Sequence, residues 1–333
     1  MRILITGGAG FVGSRLAREI LARGQLCGEP LRELVIVDLG LPASDLRDDP
    51  RVRCHAGPML EQGEILGSGF DGVFHLASAV SGECELDFDL GLRSNLDSTR
   101  LLLDSIRRSG KASRFVFSSS VAVYGPYAGQ PMPALVSDTT LPSPQTSYGT
   151  QKLMLEYLIA DHTRKGFIDG RSARLMTVTV RPGRPNGAAS SFFSGIIREP
   201  LAGIECTCPV DPQVSHPLAS PANTIRGLLR VFEASQAELG NRLALNLPGL
   251  NITVQTMLDA LERVAGRRVR ERVRFERDER IAGMVGGWAR GASSERAAAL
   301  GLQPDSSFEA IIEQYIEDCR TRPGYSPEAL RGL

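Results

Sequence analysis

Residues 2–24 read RILITGGAGFVGSRLAREILARG, and residues 33–38 read ELVIVD. A short apolar run, a glycine-rich turn, a stretch of helical period and a second apolar run ending in an acid predict strand, tight turn, helix and strand in that order. Gly7, Gly10 and Gly13 fall where the backbone must turn sharply, approach a ligand closely and let the helix pack against the strand. A Cβ atom obstructs each of these. The turn empties into a helix N-terminus, where unbonded N–H groups and the positive end of the helix dipole meet, so a pyrophosphate is the natural guest. Asp38 closes the unit at the predicted end of the second strand, where a carboxylate accepts hydrogen bonds from ribose hydroxyls. Leu39 and Gly40 follow, with no arginine to take a 2′-phosphate, so NAD is favoured over NADP.

The pattern continues outward. Val52–Ala56 reads as a third strand, Phe70–Ala77 as a fourth, Leu86–Ser109 as a long helix, Ser113–Ser119 as a fifth strand and Ala173–Arg181 as a sixth. Strands alternating with helices predict parallel pairing and an open sheet covered on both faces, with ligands beyond the carboxyl ends of the strands. The fold class expected is α/β, a Rossmann-type doubly wound parallel sheet over residues 1–187. Residues 188–333 form a smaller mixed lobe for substrate, part of whose helices after residue 215 return to the sheet domain. Helices are expected at Pro221–Ala234, Thr253–Ala265 and Ser307–Cys319 and a strand at Arg242–Leu247, with a hinge in Ala188–Gly203.

Composition bounds the function classes. The 333 residues carry a formal net charge of +0, which gives no electrostatic footprint for nucleic acid or an anionic membrane surface. No apolar run reaches the ~18 residues of a membrane span. With the first strand at Arg2 no signal peptide is expected, and the expected location is cytoplasmic. The six cysteines lack a metal-ligand rhythm, so no metal is expected, and Cys206 and Cys208 are read as incidental thiols. The arginine-dense run Arg267–Arg280 is interleaved with acids and reads as a salt-bridged surface. His75 inside an apolar strand reads as a hydrogen-bonded core residue. His216, next to Pro217, reads as a loop residue and a weak candidate for the pocket lining.

Past a Pro/Ser/Gly-rich loop from Gly125 to Ser147 the chain reads SYGTQK, and a helical pattern runs on through Lys165. Tyr148 and Lys152 are four apart, on one helix face. A free phenol titrates near pH ~10 and is a poor base at neutrality, whereas an ammonium beside it lowers its pKa. Lys152 is expected to supply that charge. Ser120 is expected to hold the substrate oxygen against Tyr148 while a hydride passes to or from a nicotinamide.

ITGGAGFVG, FHLAS, Asn95, SSSVAVYG, SYGTQK and RPG, in this order, resemble the extended short-chain dehydrogenase/reductase family, which includes nucleotide-sugar epimerases and dehydratases. The likeness spans essentially the whole chain. It implies Tyr148 as catalytic acid/base, Lys152 as its partner and a ribose ligand, and Ser120 as the positioning hydroxyl. It further implies cofactor contacts from Gly7, Gly10, Phe11, Val12, Gly13, Asp38, Met59, Leu76, Ala77, Asn95, Tyr148, Lys152 and the backbone near Pro182. Where the family often has Gly-Asp-Ile or Gly-Asp-Leu after the third strand, this chain has Gly57-Pro58-Met59, so an adenine contact from that Asp is missing. Pairing into a homodimer or higher homo-oligomer is likewise implied by resemblance.

Within the family, AVSGECELDFDLGLRSN, TVRPGRPNGAASSFFSGIIREPLAG and CPVDP are similar to members that oxidise a four-carbon sugar acid at its C2 hydroxyl with NAD. A small acid needs a cation or several donors for its carboxylate. Arg184 and Asn186 are the favoured candidates, with Ser81, Ser119, Ser120, Tyr148 and Ser190 as further hydroxyls. The alternative reading is a nucleotide-sugar epimerase or dehydratase with tightly bound NAD.

Overall fold

A computed structural model describes residues 1–183 and 189–333. The opening run forms β1 (Arg2–Thr6), and the glycine turn leads into α1 (Phe11–Arg23). β2 (Glu33–Asp38), β3 (Val52–Ala56) and β4 (Gly72–His75) follow. The helical segment after β4 is not the single helix expected over Leu86–Ser109. It begins earlier, at Ser81–Leu86, breaks at Asp87, whose carboxylate caps Phe88–Gly91, and passes through a wide π turn at Leu92–Asp97 before settling into α2 (Ser98–Ser109).

The chain then makes β5 (Arg114–Ser120), α3 (Ser147–Arg164), β6 (Asp169–Leu175) and β7 (Thr177–Val178). The expected sixth strand, Ala173–Arg181, is therefore two strands in two sheets. β6 pairs with β5 along its length, and past Met176 the chain leaves for a second sheet. The apolar pattern runs unbroken across the switch and carries no sign of it, because pairing partners decide the sheet. Beyond it lie α4 (Ser191–Leu201), β8 (Cys206–Cys208), β9 (Ser215–Ala219), α5 (Pro221–Glu233), β10 (Leu245–Asn246), β11 (Leu250–Thr253), α6 (Val254–Ala265), β12 (Val273–Phe275) and α7 (Phe308–Thr321).

The main sheet has seven parallel strands in the order β3-β2-β1-β4-β5-β6-β10. Strand order reverses direction between β1 and β4, which opens a crevice at their carboxyl ends. Alternation along each strand sorts the core into two layers. Ile3, Ile5, Leu34 and Ile36 face α1 and α5, meeting Leu16, Ile20, Leu228 and Phe232. Leu4, Val35 and Val37 face α2 and α3, meeting Leu102, Ile106, Leu155 and Ile159. Burying one such side chain contributes roughly 1.5–3 kcal/mol, so the sheet is a rigid platform for the turns at its carboxyl edge.

β10 and α5 carry the chain back onto the large sheet, as Leu245, Leu247, Ile225 and Phe232 share its core. Ala297, Leu300 and Leu302 also join that core, while α4, α6 and α7 build a separate one with Ile196, Ile197, Leu258, Leu261, Ile312 and Ile316. Among the described residues no helix is long and apolar enough to cross a membrane. The arginine-dense run is a paired surface, with Arg267 on Glu271, Arg274 on Glu205 and Arg277 on Glu279.

Candidate active site

The turn between β1 and α1 is closed by contacts that only glycine permits. Gly7 has a φ of +73°, and a Cβ on Gly13 would lie 2.1 Å from the Gly7 carbonyl oxygen. The N–H groups of Phe11, Val12 and Gly13 take no acceptor among the described residues; the first helical bond runs from Ser14 N–H to the Gly10 carbonyl. With no acid in the first turn and no side-chain cap, α1 leaves free donors and a positive dipole end at the crevice. Asp38 stands across from it. One carboxylate oxygen accepts from Ala9 N–H at 2.9 Å and Gly10 N–H at 3.2 Å, the other from Leu39 N–H at 2.7 Å, leaving lone pairs over for ribose hydroxyls. This cradle fits the pyrophosphate and adenosine ribose of a dinucleotide.

Next along the sheet edge, Leu76 N–H donates to the Thr6 carbonyl at 3.0 Å, and Ala77 N–H reaches Thr6 Oγ1 at 3.4 Å, so both residues border the crevice through backbone. His75 behind them is fully buried between Thr6 Oγ1 at 2.6 Å and Thr99 Oγ1 at 2.7 Å. Burial, helped by the Lys152 charge, pushes its pKa down to about 3, so it is the neutral core residue expected.

Tyr148 and Lys152 arrive on the first turns of α3. Thr146 caps the helix by accepting from Gly149 N–H, and Gly149 lets the helix sit against the chain after β5, where a Cβ would lie 2.2 Å from the Ala122 carbonyl oxygen. That close seat brings Tyr148 beside Ser120, whose hydroxyl accepts from Ala122 N–H at 3.1 Å. Lys152 is 2% exposed; its Nζ donates to the Ser118 carbonyl at 2.9 Å and lies 4.7 Å from the Phe117 ring centre and 5.4 Å from that of Tyr148.

The electrostatics differ from the sequence expectation. Burial pushes the Tyr148 phenol up to about 12, although the whole side chain is only partly buried; the Ser120 hydroxyl and the Arg181 charge pull the other way. Lys152 is not the cation that offsets this burial. It is itself desolvated, with its pKa lowered to about 7, and spends its bond on the Ser118 carbonyl.

Other expected residues lie elsewhere. Asn95 is 1% exposed: its carbonyl oxygen accepts from Ala79 N–H at 2.8 Å and the Ser78 hydroxyl at 3.0 Å, and its amide donates to Gln151 Oε1 at 2.6 Å. It ties the loop after β4 to α3 and has no face toward a cofactor. Ser119 is 2% exposed and donates to Glu156, because alternation along β5 turns it away from Ser120. It leaves the list of substrate hydroxyls. Met59 is buried among Leu4, Val35 and Val37, in the core below the crevice and not on its surface. Ser81 opens a helix past β4, and its hydroxyl takes no partner among the described residues. Ser190 accepts from Arg181 Nη2 at 3.2 Å. Pro182 borders a cavity of 360 Å³ together with Arg198 and Tyr315. Arg184 and Asn186 lie outside the described residues. His216 sits on β9, not in a loop; it is buried between Thr177 Oγ1 at 2.8 Å and the Ala289 carbonyl at 3.0 Å and stacked on Phe193.

With the geometry in place, likeness to known proteins decides the family. The sequence model of the NAD dependent epimerase/dehydratase family matches residues 3–245. The chain belongs to that family. Its cofactor is NAD, in keeping with the cradle at β1 and α1. Within the family it is 47% identical over 325 residues to a D-erythronate dehydrogenase of Cupriavidus necator, covering 96% of this chain and 98% of that one. A D-erythronate dehydrogenase of Haemophilus influenzae is 40% identical, covering 95% and 99%. Among solved structures, one described as the nucleoside-diphosphate-sugar epimerase from Agrobacterium tumefaciens superposes with a TM-score of 0.89 at 42% identity, covering 96% of this chain and 94% of that one.

Two groups in this family member were not singled out from sequence. One is a buried network behind the site: Arg174 grips Glu156 at 2.9 and 2.7 Å and donates to the Tyr124 hydroxyl at 2.6 Å, which in turn meets Asn246 Oδ1 at 2.9 Å. Its members are spread from residue 124 to residue 246, so no local pattern joins them. The other is Arg181, the cation nearest in effect to Tyr148. It follows an apolar strand and is flanked by Arg184 in sequence, and spacing alone offers no means of ranking the two. A cavity of 750 Å³ at α4 and the segments around β8 and β12 is bordered by Phe192, Glu199 and Arg277, and Tyr148 is not among its lining residues.

Proposed function

We propose that this chain is an NAD-dependent dehydrogenase that oxidises D-erythronate at its C2 hydroxyl to 2-oxo-D-erythronate. The observation that carries this reading is the 47% identity, over nearly the full length of both chains, to a D-erythronate dehydrogenase. The site geometry supports it. Tyr148 is the acid/base, Ser120 holds the substrate oxygen, and Lys152 anchors the turn of α3 and reaches the ribose. NAD supplies the acceptor for the hydride that leaves C2. Tyr148, as phenolate, would take the C2 hydroxyl proton, and the electron pair of the broken O–H bond would become the second bond of the carbonyl as the C2 hydride departs. Asp38 selects NAD over NADP, since a 2′-phosphate would meet its carboxylate. In this reading residues 1–187 serve the cofactor and the lobe from 188 the substrate, with α5 and β10 belonging structurally to the first.

The test is absorbance by NADH on mixing the protein with C4 to C6 sugar acids and either NAD or NADP. NADH from D-erythronate is expected, with NADP much the poorer partner. A second reading, epimerisation of a nucleotide sugar on tightly bound NAD, has in its favour the description of the Agrobacterium structure. Inertness toward every acid, with conversion of a UDP-sugar and no net NADH, selects it instead.

The same reading includes pairing of two copies. Leu86 and Phe88 and, on α3, Met154 and Tyr157 are large apolar side chains left exposed on helical stretches that pack against each other. A native mass of twice the chain is expected, and a monomer at micromolar concentration removes this part.

A further inference from the structure

Arg181 is fixed at both ends. Its side chain folds back so that Nε donates to the Val178 carbonyl at 2.9 Å and Nη2 to Ser190 Oγ at 3.2 Å. Its backbone N–H donates to Ser194 Oγ at 3.0 Å, and its carbonyl accepts from Arg198 Nη1 at 2.9 Å. Holding so long a side chain still costs rotamer entropy, which is justified if the place of the charge matters.

What the guanidinium lacks is an acid. The buried arginines Arg15, Arg171, Arg174 and Arg198 each have one, in Asp318, Asp169, Glu156 and Glu199. Arg181, partly buried and next to the Arg198 charge, has no carboxylate within ion-pair distance among the described residues, and residues 184–188 contain no Asp or Glu. A guanidinium offers five N–H donors. Val178 and Ser190 use two; the others meet no acceptor among the described residues. A fork of parallel donors with no protein anion, within electrostatic reach of Tyr148, matches the geometry of a carboxylate.

We infer that Arg181 grips the carboxylate of the sugar acid, with Ser190 holding the guanidinium in place. This rests on the sugar-acid reading above and deepens it. In a 2-hydroxy acid the reacting carbon is bonded directly to the carboxylate carbon, so a carboxylate seated on Arg181 presents the C2 hydroxyl, and no more distant one, to Tyr148 and Ser120. Arg181 thereby sets which carbon is oxidised.

The test compares wild type, Arg181→Gln and Arg184→Gln in steady-state kinetics with D-erythronate and with the neutral polyol erythritol, alongside NAD binding by fluorescence. The expected result for Arg181→Gln is a KM for the acid raised at least about tenfold, the loss of a charged hydrogen-bonded contact, with the KM for erythritol and the NAD affinity close to wild type and any loss of kcat, from the charge removed near Tyr148, shared by both substrates. An unchanged KM in Arg181→Gln, or a rise confined to Arg184→Gln, overturns the assignment while leaving the sugar-acid reading intact. Wild type that oxidises no acid at all removes the reading itself. Should Arg181→Gln not fold, a crystal structure of the wild type with NAD and D-erythronate decides. The carboxylate within hydrogen-bond distance of Arg181 supports the inference, and a carboxylate held elsewhere overturns it.

Discussion

Ser119 and Ser120 are neighbours at the end of β5 and face opposite ways into two differently built regions. Behind the strand, Ser119, Glu156, Arg174, Tyr124 and Asn246 form a closed set in which donors meet acceptors and the one negative charge meets the one positive. In front, Ser120, Tyr148, Lys152 and Arg181 are held in place yet left electrostatically unfinished. The phenol is pushed up to about 12, the ammonium is lowered to about 7, and the guanidinium has no acid. The difference separates a region that fixes geometry from one that awaits charge. A buried and complete pair is rigid and inert, whereas buried groups with shifted pKa values are poised to exchange protons.

The largest expected effect breaks the front. Tyr148→Phe removes the proton acceptor and leaves Ser120, Lys152 and the glycine cradle untouched. Turnover should fall by about 10²–10⁴-fold or more, with NAD affinity and thermal stability close to wild type. Wild-type turnover in that variant would move the acid/base role off Tyr148.

The next breaks the back. Glu156→Ala leaves the Arg174 guanidinium buried without its anion, which costs about 3–5 kcal/mol. Urea unfolding should show that loss, and the damage should reach activity only through the stability of α3. A loss below about 1 kcal/mol would mean that water or another acceptor replaces the carboxylate, and that the back is less closed than described.

How much of this contrast is legible in the sequence depends on whether it is local. The glycine turn, the acid ending β2, the limits of β3 and the Tyr-Lys spacing on α3 are local patterns, and each is met at the expected residues. Ser119 was misassigned because three serines in a row give no hint of which faces front, a matter settled by the pleat once Phe117 and Val116 choose their core layers. The Glu156–Arg174 pair and the switch of sheets at Met176 depend on contacts made by other parts of the chain. The direction of the Tyr148 shift could not be read either, since an i, i+4 spacing states that an ammonium is near but not that burial outweighs it.

The pH dependence of stability tests whether the front is as desolvated as its pKa values imply. Lys152 keeps its proton in the unfolded chain up to about 10.5 but in the folded protein only to about 7, because burial disfavours the charged form. Between those values the unfolded state holds the extra proton, so this residue's contribution to stability rises with pH, by at most about 1.4 kcal/mol per pH unit. Only above about 10 does Tyr148, raised to about 12, oppose it by keeping its proton in the folded state. Subtracting the profile of Lys152→Met from that of wild type isolates the effect. A flat difference from pH 7 to 10 would show an ammonium that is solvated after all.

The smallest effect gives the sharpest comparison, because it sets two adjacent hydroxyls against each other. Ser119→Ala takes from Glu156 one of its donors while Arg174 keeps both of its bonds, so the expected loss is about 1.5 kcal/mol of stability with kcat and KM unchanged. Ser120→Ala removes a hydroxyl that accepts from Ala122 N–H and interacts with the Tyr148 phenol, so stability should change little while kcat/KM falls about tenfold. The two variants delete the same atom one residue apart, so any difference arises from the face each hydroxyl occupies. If both lost activity equally, Glu156 would have to transmit the loss through α3 to Tyr148, and the back would be an arm of the site instead of its foundation.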